Sequence, residues 1–136
     1  MEKIFVDTSA WVALFARNDK FHHESLSIFK YIQNQQWMLY TSDYVIDETI
    51  TTILMRSSHK DSVIAGNALF ESKIIQILYV APDYLDVSWQ LYRKYKDKEF
   101  SFTDVTSFAI MRRVELRKAF AFDEHFTQAG IELVTL

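Results

Sequence analysis

Five short apolar segments alternate along this chain with longer segments of helical periodicity. Strands are predicted at residues 3–6, 37–40, 74–80, 119–122 and 131–134. Helices are predicted at residues 10–16, 22–33, from about 43 to about 56, 61–71, from 82 onward, 104–116 and 124–129. This alternation is typical of a parallel sheet with helices on both faces. Because the crossovers in such a sheet are right-handed, the carboxyl ends of all strands meet at one edge.

One predicted helix and one predicted strand are apolar enough to be buried. The helix at 104–116 carries apolar residues around nearly its whole circumference, which is typical of a central helix. The strand at 74–80 is an almost continuous apolar run, as buried parallel strands are. We therefore expect both elements inside one core, with residues 1–136 forming a single domain.

The composition excludes several classes of protein. The chain has no cysteine, so disulfides, thiolate zinc sites and cysteine nucleophiles are excluded, and a reducing cytoplasm is the expected location. No apolar run is long enough to span a bilayer, and the first residues do not form a signal peptide. The net charge of −3 does not suggest nonspecific nucleic-acid binding, although clustered metal-binding acids would also lower the total.

Four acidic residues stand where this topology gathers the strand ends. Asp7 directly follows the first strand, and Asp123 directly follows the fourth. Glu48 lies in the first two turns of the helix after the second strand, and Asp104 opens the buried helix. Helical side chains tilt toward the helix N-terminus, so Glu48 and Asp104 lean toward the same edge. Open α/β sheets bind their ligands at this edge, so the four carboxylates are candidates for one site.

Each of these acids also has an ordinary structural interpretation. Asp7 and Asp123 can cap the helices that follow them. Asp104 can complete a capping box with Ser101, since the two match the S-x-x-D pattern. Glu48 lies roughly opposite the apolar stripe of its helix, so it can be a solvated residue. The apolar surroundings of Asp7, Asp104 and Asp123 favour a functional interpretation for those three.

Carboxylates that crowd together at one edge repel each other, and their pKa values rise unless a cation compensates. A divalent metal that prefers oxygen ligands is the natural compensation. Mg²⁺ or Mn²⁺ fits better than zinc, because the chain has no cysteine and its four histidines show no ligand spacing. The sequence thus predicts a Mg²⁺ or Mn²⁺ site at the carboxyl edge of the sheet.

Four segments together resemble the PIN domain family, in particular toxin ribonucleases of the VapC type. They are F-V-D-T-S-A-W at the start, V-I-D-E around Glu48, F-S-F-T-D-V-T-S-F-A-I-M around Asp104 and A-F-D-E-H-F around Asp123. The resemblance covers essentially the whole chain. It implies a three-layer α/β/α fold with a five-stranded parallel sheet.

The resemblance also implies a function and a set of site residues. Members of the family are metal-dependent ribonucleases, and the toxins commonly form homodimers and are neutralised by a small antitoxin protein that occupies the active-site cleft. The implied acidic set is Asp7, Glu48, Asp104 and Asp123. Hydroxyl groups near the site are implied at Thr8 or Ser9 and at Ser101.

A mechanism follows if each member of this set is given a role. Asp7 and Asp104 are expected to be the principal metal ligands, and Asp123 to bind the metal directly or through water. Glu48 is expected to orient or deprotonate the attacking water. The hydroxyls of Thr8 or Ser9, and of Ser101, are expected to hold these ligands or the phosphate. In-line attack by water would leave a 5′-phosphate and a 3′-hydroxyl.

The sequence departs from the family pattern at two positions beside these acids. His125 stands where some relatives carry a further Asp, and Asp47 adjoins Glu48, so either acid of that pair can face the site. RNA contact also needs cations. The predicted ones are the basic residues in and just before the charged connector that precedes Ser101, namely Arg93, Lys94, Lys96 and Lys98.

Two other functions are compatible with the same residues. One is a catalytically silent PIN-like module that binds RNA or a protein. The other is a phosphoryl-transfer enzyme with Asp7 as nucleophile, although enzymes of the haloacid dehalogenase type usually need a second acid where this chain has Ser9. Because all four acids are present, we predict a divalent-metal-dependent endoribonuclease, the toxin of a type II toxin–antitoxin pair.

Overall fold

The computed structural model describes residues 1–136 and contains five strands and seven helices. The strands are β1 (Lys3–Val6), β2 (Met38–Ser42), β3 (Ile75–Leu78), β4 (Lys118–Phe120) and β5 (Glu132–Leu133). The helices are α1 (Thr8–Phe15), α2 (His22–Asn34), α3 (Asp43–Arg56), α4 (His59–Glu71), α5 (Pro82–Lys94), α6 (Phe102–Arg113) and α7 (His125–Gln128). None of these helices combines the length and the apolar character that a membrane span requires.

All five strands form one parallel sheet in the order β3-β2-β1-β4-β5. The three-layer α/β/α fold with a five-stranded parallel sheet, predicted from the sequence, is confirmed. The chain adds β2 and β3 on one side of β1 and then crosses back to place β4 on the other side. The carboxyl ends of β1 and β4 therefore form the topological switch point, where open α/β sheets bind ligands.

The central strand β1 ends in the core. Its residues Ile4, Phe5 and Val6 are fully buried, because β2 and β4 pair with it on either side and helices cover it. Beyond the last registered pair, the backbone N–H of Asp7 donates to the carbonyl of Phe120 at 3.0 Å. Helix α1 begins at the next residue, so Asp7 stands where the strand turns into a helix.

A series of buried hydrogen bonds fixes α1 against β1 and β2. The Trp11 indole N–H donates to the Thr41 hydroxyl at 3.2 Å, and that hydroxyl donates to the Val6 carbonyl at 2.9 Å. All three residues are buried, so a bond left unmade here would be costly. These hydrogen bonds thereby hold α1, the helix that Asp7 caps, in place.

Helix α6 is central, as predicted. Residues 104–111 are all buried, including the polar side chains of Thr106 and Ser107, whose hydroxyls donate to the carbonyl of Thr103. The helix begins at Phe102, two residues before the predicted start, because Ser101 caps it. Asp104 is therefore the third residue of the helix and points back toward its N-terminus.

The prediction that the third strand is buried on all sides is wrong. β3 spans Ile75–Leu78 rather than 74–80, lies at the edge of the sheet and is only partly buried. Ile74, which the prediction placed inside the strand, is 56% exposed. An apolar run indicates burial of the segment as a whole, but it does not tell a central strand from an edge strand that has one neighbour.

Candidate active site

A cleft of about 660 Å³ lies at the carboxyl edge of the sheet, and all four predicted acids line it. The hydroxyl residues Thr8, Ser9 and Ser101 line the same cleft. These residues come from the junction of β1 and α1, from α1, α3 and α6, and from the segments that precede α6 and follow β4. The parallel topology thus brings together residues that lie far apart in the sequence.

Asp7 is the most buried of the acids, with 2% of its surface exposed. It caps α1, and its Oδ2 accepts hydrogen bonds from the Ser9 backbone N–H at 3.1 Å and from the Ser9 hydroxyl at 2.8 Å. The other oxygen, Oδ1, is buried and has no hydrogen-bond partner. The capping interpretation is therefore correct, but it accounts for only one oxygen. A buried carboxylate oxygen without a partner is costly unless a ligand binds it.

Ser9 connects the ends of the two central strands. The Ser9 hydroxyl donates to Asp7 Oδ2, and Ser9 Oγ accepts a hydrogen bond from the Phe122 backbone N–H at 2.9 Å. The segment that follows β4 is thereby held against the carboxylate that follows β1. Asp123, the next residue, is placed in the same cleft as a result.

Asp104 is 5% exposed and takes part in a complete capping box. Its backbone N–H donates to Ser101 Oγ at 3.0 Å, and its Oδ2 accepts from the Ser101 backbone N–H at 3.1 Å. The same Oδ2 lies 2.9 Å from His125 Nδ1. None of these bonds uses Oδ1, so the cap and a ligand can occupy different oxygens of one carboxylate.

Asp123 does not follow β4 directly, because the strand ends at Phe120 and the chain then turns to bond with Ser9. Its Oδ1 accepts from the His125 backbone N–H at 2.9 Å and lies 3.2 Å from His125 Nδ1. The His125 ring therefore stands between Asp123 and Asp104, and Nδ1 must carry a proton to bond with either. The sequence left the role of His125 open, and the structure places it among the acids.

Glu48 lines the cleft, whereas the adjacent Asp47 is exposed and does not. The Thr8 hydroxyl contacts the Val45 carbonyl only weakly, at 3.5 Å, and it also favours the charged form of Glu48 by hydrogen bonding. In most amphipathic helices the face opposite the apolar stripe is in contact with solvent. In α3 this opposite face, which carries Glu48, faces the cleft.

Burial and mutual repulsion raise the pKa of three of these acids. Burial raises the pKa of Asp7 to about 7, and the charge of Asp104 acts in the same direction. Burial also raises the pKa of Glu48, to which the charges of Asp104 and Asp123 contribute. For Asp104, burial raises the pKa, and the hydrogen bonds from His125 and Ser101 oppose that rise. The cluster therefore favours any bound cation.

His125 supplies part of the missing positive charge. Burial acts to lower the pKa of His125, but the hydrogen bond to Asp104 and the charges of Asp123 and Glu124 outweigh it, so the pKa is raised. A protonated imidazole brings one positive charge to a cleft with seven carboxylates. A divalent ion would bring two.

The donor atoms fit such an ion. Asp104, Asp123 and His125 each offer one donor atom, and these atoms lie within 4.8 Å of one another. Asp7 adds the buried oxygen that has no other partner. Mg²⁺ and Mn²⁺ prefer carboxylate oxygens as ligands, whereas imidazole is the more common ligand of ions such as zinc and iron. The three aspartates therefore fit the metal that the sequence predicts, and His125, whose Nδ1–H lies between Asp104 and Asp123, is placed to orient their carboxylates.

The predicted RNA-binding cations lie away from this cleft. Arg93, Lys94 and Lys96 line a separate surface groove together with Gln90, and Lys98 lines neither cavity. The Lys and Arg residues that line the acidic cleft are Lys20 and Arg56, from the α1–α2 loop and the end of α3. No pattern in the sequence singles out these two residues, because one lies in a short polar break and the other ends a helix.

Known proteins with similar sequences belong to one family. Residues 4–132 match the family model of the PIN domain. The 23S rRNA-specific endonuclease VapC20 of Mycobacterium tuberculosis (strain CDC 1551 / Oshkosh) is 34% identical over 127 residues, which cover 93% of this chain and 94% of that protein.

Solved structures show the same fold. The crystal structure of Mycobacterium tuberculosis VapC20, described as a sarcin–ricin loop cleaving toxin, has a TM-score of 0.85 at 33% identity and covers 94% of this chain and 95% of that chain. VapBC2 from Rickettsia felis, bound to a DNA fragment from their promoter, has a TM-score of 0.69 at 9% identity and covers 98% of each chain. At that identity the likeness concerns the fold alone.

Proposed function

Because this chain belongs to the PIN domain family, we propose that it is a divalent-metal-dependent endoribonuclease and the toxin of a type II toxin–antitoxin pair. The observation that carries the proposal is the convergence of Asp7, Glu48, Asp104 and Asp123 on one cleft. The similarity to VapC20, a 23S rRNA-specific endonuclease and sarcin–ricin loop cleaving toxin, supports RNA as the substrate. The sarcin–ricin loop is therefore the first substrate to test.

Asp7, Asp104 and Asp123 would hold Mg²⁺ or Mn²⁺ in this proposal, and His125 would orient the carboxylates of Asp104 and Asp123 through its Nδ1–H. Such an ion supplies charge neutralisation at the phosphate and lowers the pKa of water. The hydrogen bonds around it orient the carboxylates. Ser9 holds Oδ2 of Asp7, and the Ser101 backbone holds Oδ2 of Asp104. Fixing one oxygen of each carboxylate fixes the direction of the other.

Glu48 is proposed to accept a proton from the attacking water. Its pKa is raised by burial and by the neighbouring acids, which makes it a better proton acceptor than an exposed glutamate. The Thr8 hydroxyl opposes that rise and so keeps the carboxylate ionised over a wider pH range. In-line attack by this water on an RNA phosphodiester leaves a 5′-phosphate and a 3′-hydroxyl.

A cleavage assay tests the proposal. A labelled RNA containing the sarcin–ricin stem-loop is incubated with the protein in Mg²⁺, Mn²⁺ or EDTA, and the new ends are mapped chemically. We expect cleavage with either metal, none with EDTA, and 5′-phosphate products. Binding of RNA without cleavage under all conditions would instead favour the catalytically silent module. Trapping of a phosphoryl group on Asp7 would favour the phosphoryl-transfer alternative.

The Asp104→Asn variant ties the activity to this site. The amide keeps the size of the carboxylate and can still accept the bond from the Ser101 backbone, so the fold should persist. We expect cleavage to be abolished and the far-UV circular dichroism to be unchanged. Normal cleavage by the folded variant would refute the assignment of Asp104. Asp47→Asn is the matched control, because Asp47 is exposed on α3 and does not line the cleft.

A small antitoxin protein and a second copy of the chain are the proposed partners. Exposed apolar side chains supply surface for both. A groove of about 320 Å³ is lined almost wholly by apolar residues of α1, α2, α4 and the start of β3, such as Phe15, Leu26 and Ile75. On α5, Trp89 is 52% exposed and Tyr92 is 41% exposed.

These partners are tested separately from the chemistry. Light scattering coupled to gel filtration measures the mass of the purified chain, and a monomer at micromolar concentration would refute the dimer. Co-expression with any small open reading frame found immediately upstream, followed by purification through a tag on one protein, tests the antitoxin. We expect a stable complex in which RNA cleavage is inhibited.

A further inference from the structure

The wall of the acidic cleft carries an unusual balance of charge for a site that would accept RNA. Its seven carboxylates are those of Asp7, Asp19, Glu48, Glu99, Asp104, Asp123 and Glu124. Its only Lys or Arg side chains are those of Lys20 and Arg56. A divalent ion at the central acids neutralises part of this charge. The phosphates on either side of the scissile one would still face a negative wall, so they need cations from the protein.

Lys20 is positioned at this wall but not neutralised. It lies in the loop between α1 and α2, where the Phe21 backbone N–H donates to Asp19 Oδ1 at 2.9 Å and the His22 N–H donates to the Asp19 carbonyl at 3.0 Å. The ammonium lies 5.0 Å from the centroid of the Phe21 ring. It forms no ion pair in the structure, so its charge is available to an anion in the cleft.

The loop that carries Lys20 is tied to the chain segment that carries Asp123. The rings of Phe21 and Phe122 stack at a centroid distance of 4.6 Å and an angle of 4°. The Phe122 backbone in turn bonds to Ser9, which holds Asp7. The spacing between Lys20 and the acids is therefore set by packed groups rather than by a free loop.

Arg56 adds a second cation at the end of α3. Its side chain is 63% exposed, and its only ion pair is with Asp19 Oδ2 at 3.7 Å. An exposed pair at that distance contributes little to stability. The guanidinium has five N–H donors in a planar fork that matches a phosphate, so it can bind one while it remains near Asp19. A favourable interaction with the helix dipole is a further, small structural role.

We propose that Lys20 and Arg56 bind the RNA phosphates that flank the scissile phosphate. This rests on the proposed ribonuclease function. The basic residues Arg93, Lys94, Lys96 and Lys98 in and just before the charged connector (the connector cluster) differ from these two residues in position. Arg93, Lys94 and Lys96 line a separate groove that contains no acid. Lys20 and Arg56 therefore set substrate affinity at the cleft, while the acids perform the chemistry.

RNA binding by variants tests the proposal. Binding of a fluorescein-labelled sarcin–ricin stem-loop RNA is measured by anisotropy in a Glu48→Gln background, which keeps the other three acids. We expect Lys20→Gln and Arg56→Gln each to weaken binding about three- to tenfold. The slope of log affinity against log salt should fall by about 0.7 for each residue. The matched control is the pair Lys94→Gln with Lys96→Gln, which removes as much charge as the two cleft substitutions together and should change the affinity less than about twofold.

Kinetics in the otherwise native chain provide a second readout. The double variant Lys20→Gln with Arg56→Gln should raise KM about tenfold or more and leave kcat within about threefold. Unchanged affinity and KM in a folded double variant would overturn the proposal, and so would an equal loss in the control pair. If the native protein cleaves no RNA, the ribonuclease function fails, whereas the anisotropy comparison still decides whether these two cations bind RNA.

Discussion

Replacing Asp7 by Asn should stabilise the metal-free protein above about pH 7, and the stability of the variant relative to the native chain should rise with pH. Burial and the charge of Asp104 raise the pKa of Asp7 from 3.8 to about 7 in the fold. The folded state therefore holds the proton more tightly than the unfolded chain does. The ionisation of Asp7 costs no stability below the unfolded pKa, where both states are protonated. The cost increases as the pH rises and is complete above about pH 7.

The magnitude follows from the size of this shift. A rise of about 3 pKa units, at about 1.4 kcal/mol per unit, corresponds to about 4 kcal/mol of destabilisation above neutral pH. By the same relation the cost at about pH 5 is only about 1.5 to 2 kcal/mol. Asn cannot ionise, so the variant escapes this cost. The Asn amide group, however, would be buried with one atom that has no hydrogen-bond partner. That lowers the free energy of unfolding by about 1 to 3 kcal/mol at any pH.

Urea unfolding in EDTA measures the difference directly. The free energy of unfolding of Asp7→Asn, relative to the native chain, should increase by about 2.5 kcal/mol between about pH 5 and about pH 8. The pH-independent amide cost cancels in this comparison. Asp47→Asn removes a charge one residue from Glu48 on the exposed side of α3, and it should show a difference within about 0.5 kcal/mol at both pH values. A relative stability of Asp7→Asn that does not change with pH would refute the raised pKa.

Three further outcomes are expected. Added Mg²⁺ or Mn²⁺ should raise the midpoint of thermal unfolding of the native chain, and the shift should be lost in Asp7→Asn; calorimetry with and without EDTA measures it, and an equal shift in both proteins would place the metal elsewhere. Ser101→Ala should lower the free energy of unfolding by about 1 kcal/mol through the lost cap, yet reduce cleavage less than tenfold, because Asp104 keeps its bond to the backbone N–H of residue 101. Trp11→Phe should lower the urea midpoint by the equivalent of about 1 to 3 kcal/mol, because the Thr41 hydroxyl loses a buried donor, and an unchanged midpoint would show that this bond adds nothing.

The sequence predicts the acidic cluster because strand ends and helix starts are local signals. Asp7 and Asp104 are each marked by a change from one periodicity to another, and a parallel sheet carries such positions to one edge. These signals predict the position of Asp123 less well. The sequence predicts Asp123 directly after the fourth strand, whereas β4 ends at Phe120. The hydrogen bond between Phe122 and Ser9 that redirects the chain joins residues 113 positions apart, and no local pattern reports it.

Other parts of the site depend on contacts that no periodicity encodes. His125 has no second histidine at a ligand spacing, and its partners Asp104 and Asp123 meet it only in the folded chain. Lys20 reaches the cleft because the α1–α2 loop packs through Phe21 on Phe122, and Arg56 reaches it from the end of α3. The connector cluster is the more conspicuous in the sequence, since four basic residues lie within six positions, but proximity along the chain to Ser101 does not bring it into the cleft.

The bond from Phe122 to Ser9 also has a consequence for the time at which the site appears during synthesis. The first carboxylate of the cluster is translated well before the groups that complete it, which lie at residues 104, 123 and 125. β1 gains its second neighbour only when β4 has been made, and Ser9 finds Phe122 only after that. A nascent chain therefore has no assembled cleft while it is still short. An enzyme that attacks RNA would thus be inactive on the ribosome that is making it until residues 123 and 125 have been translated.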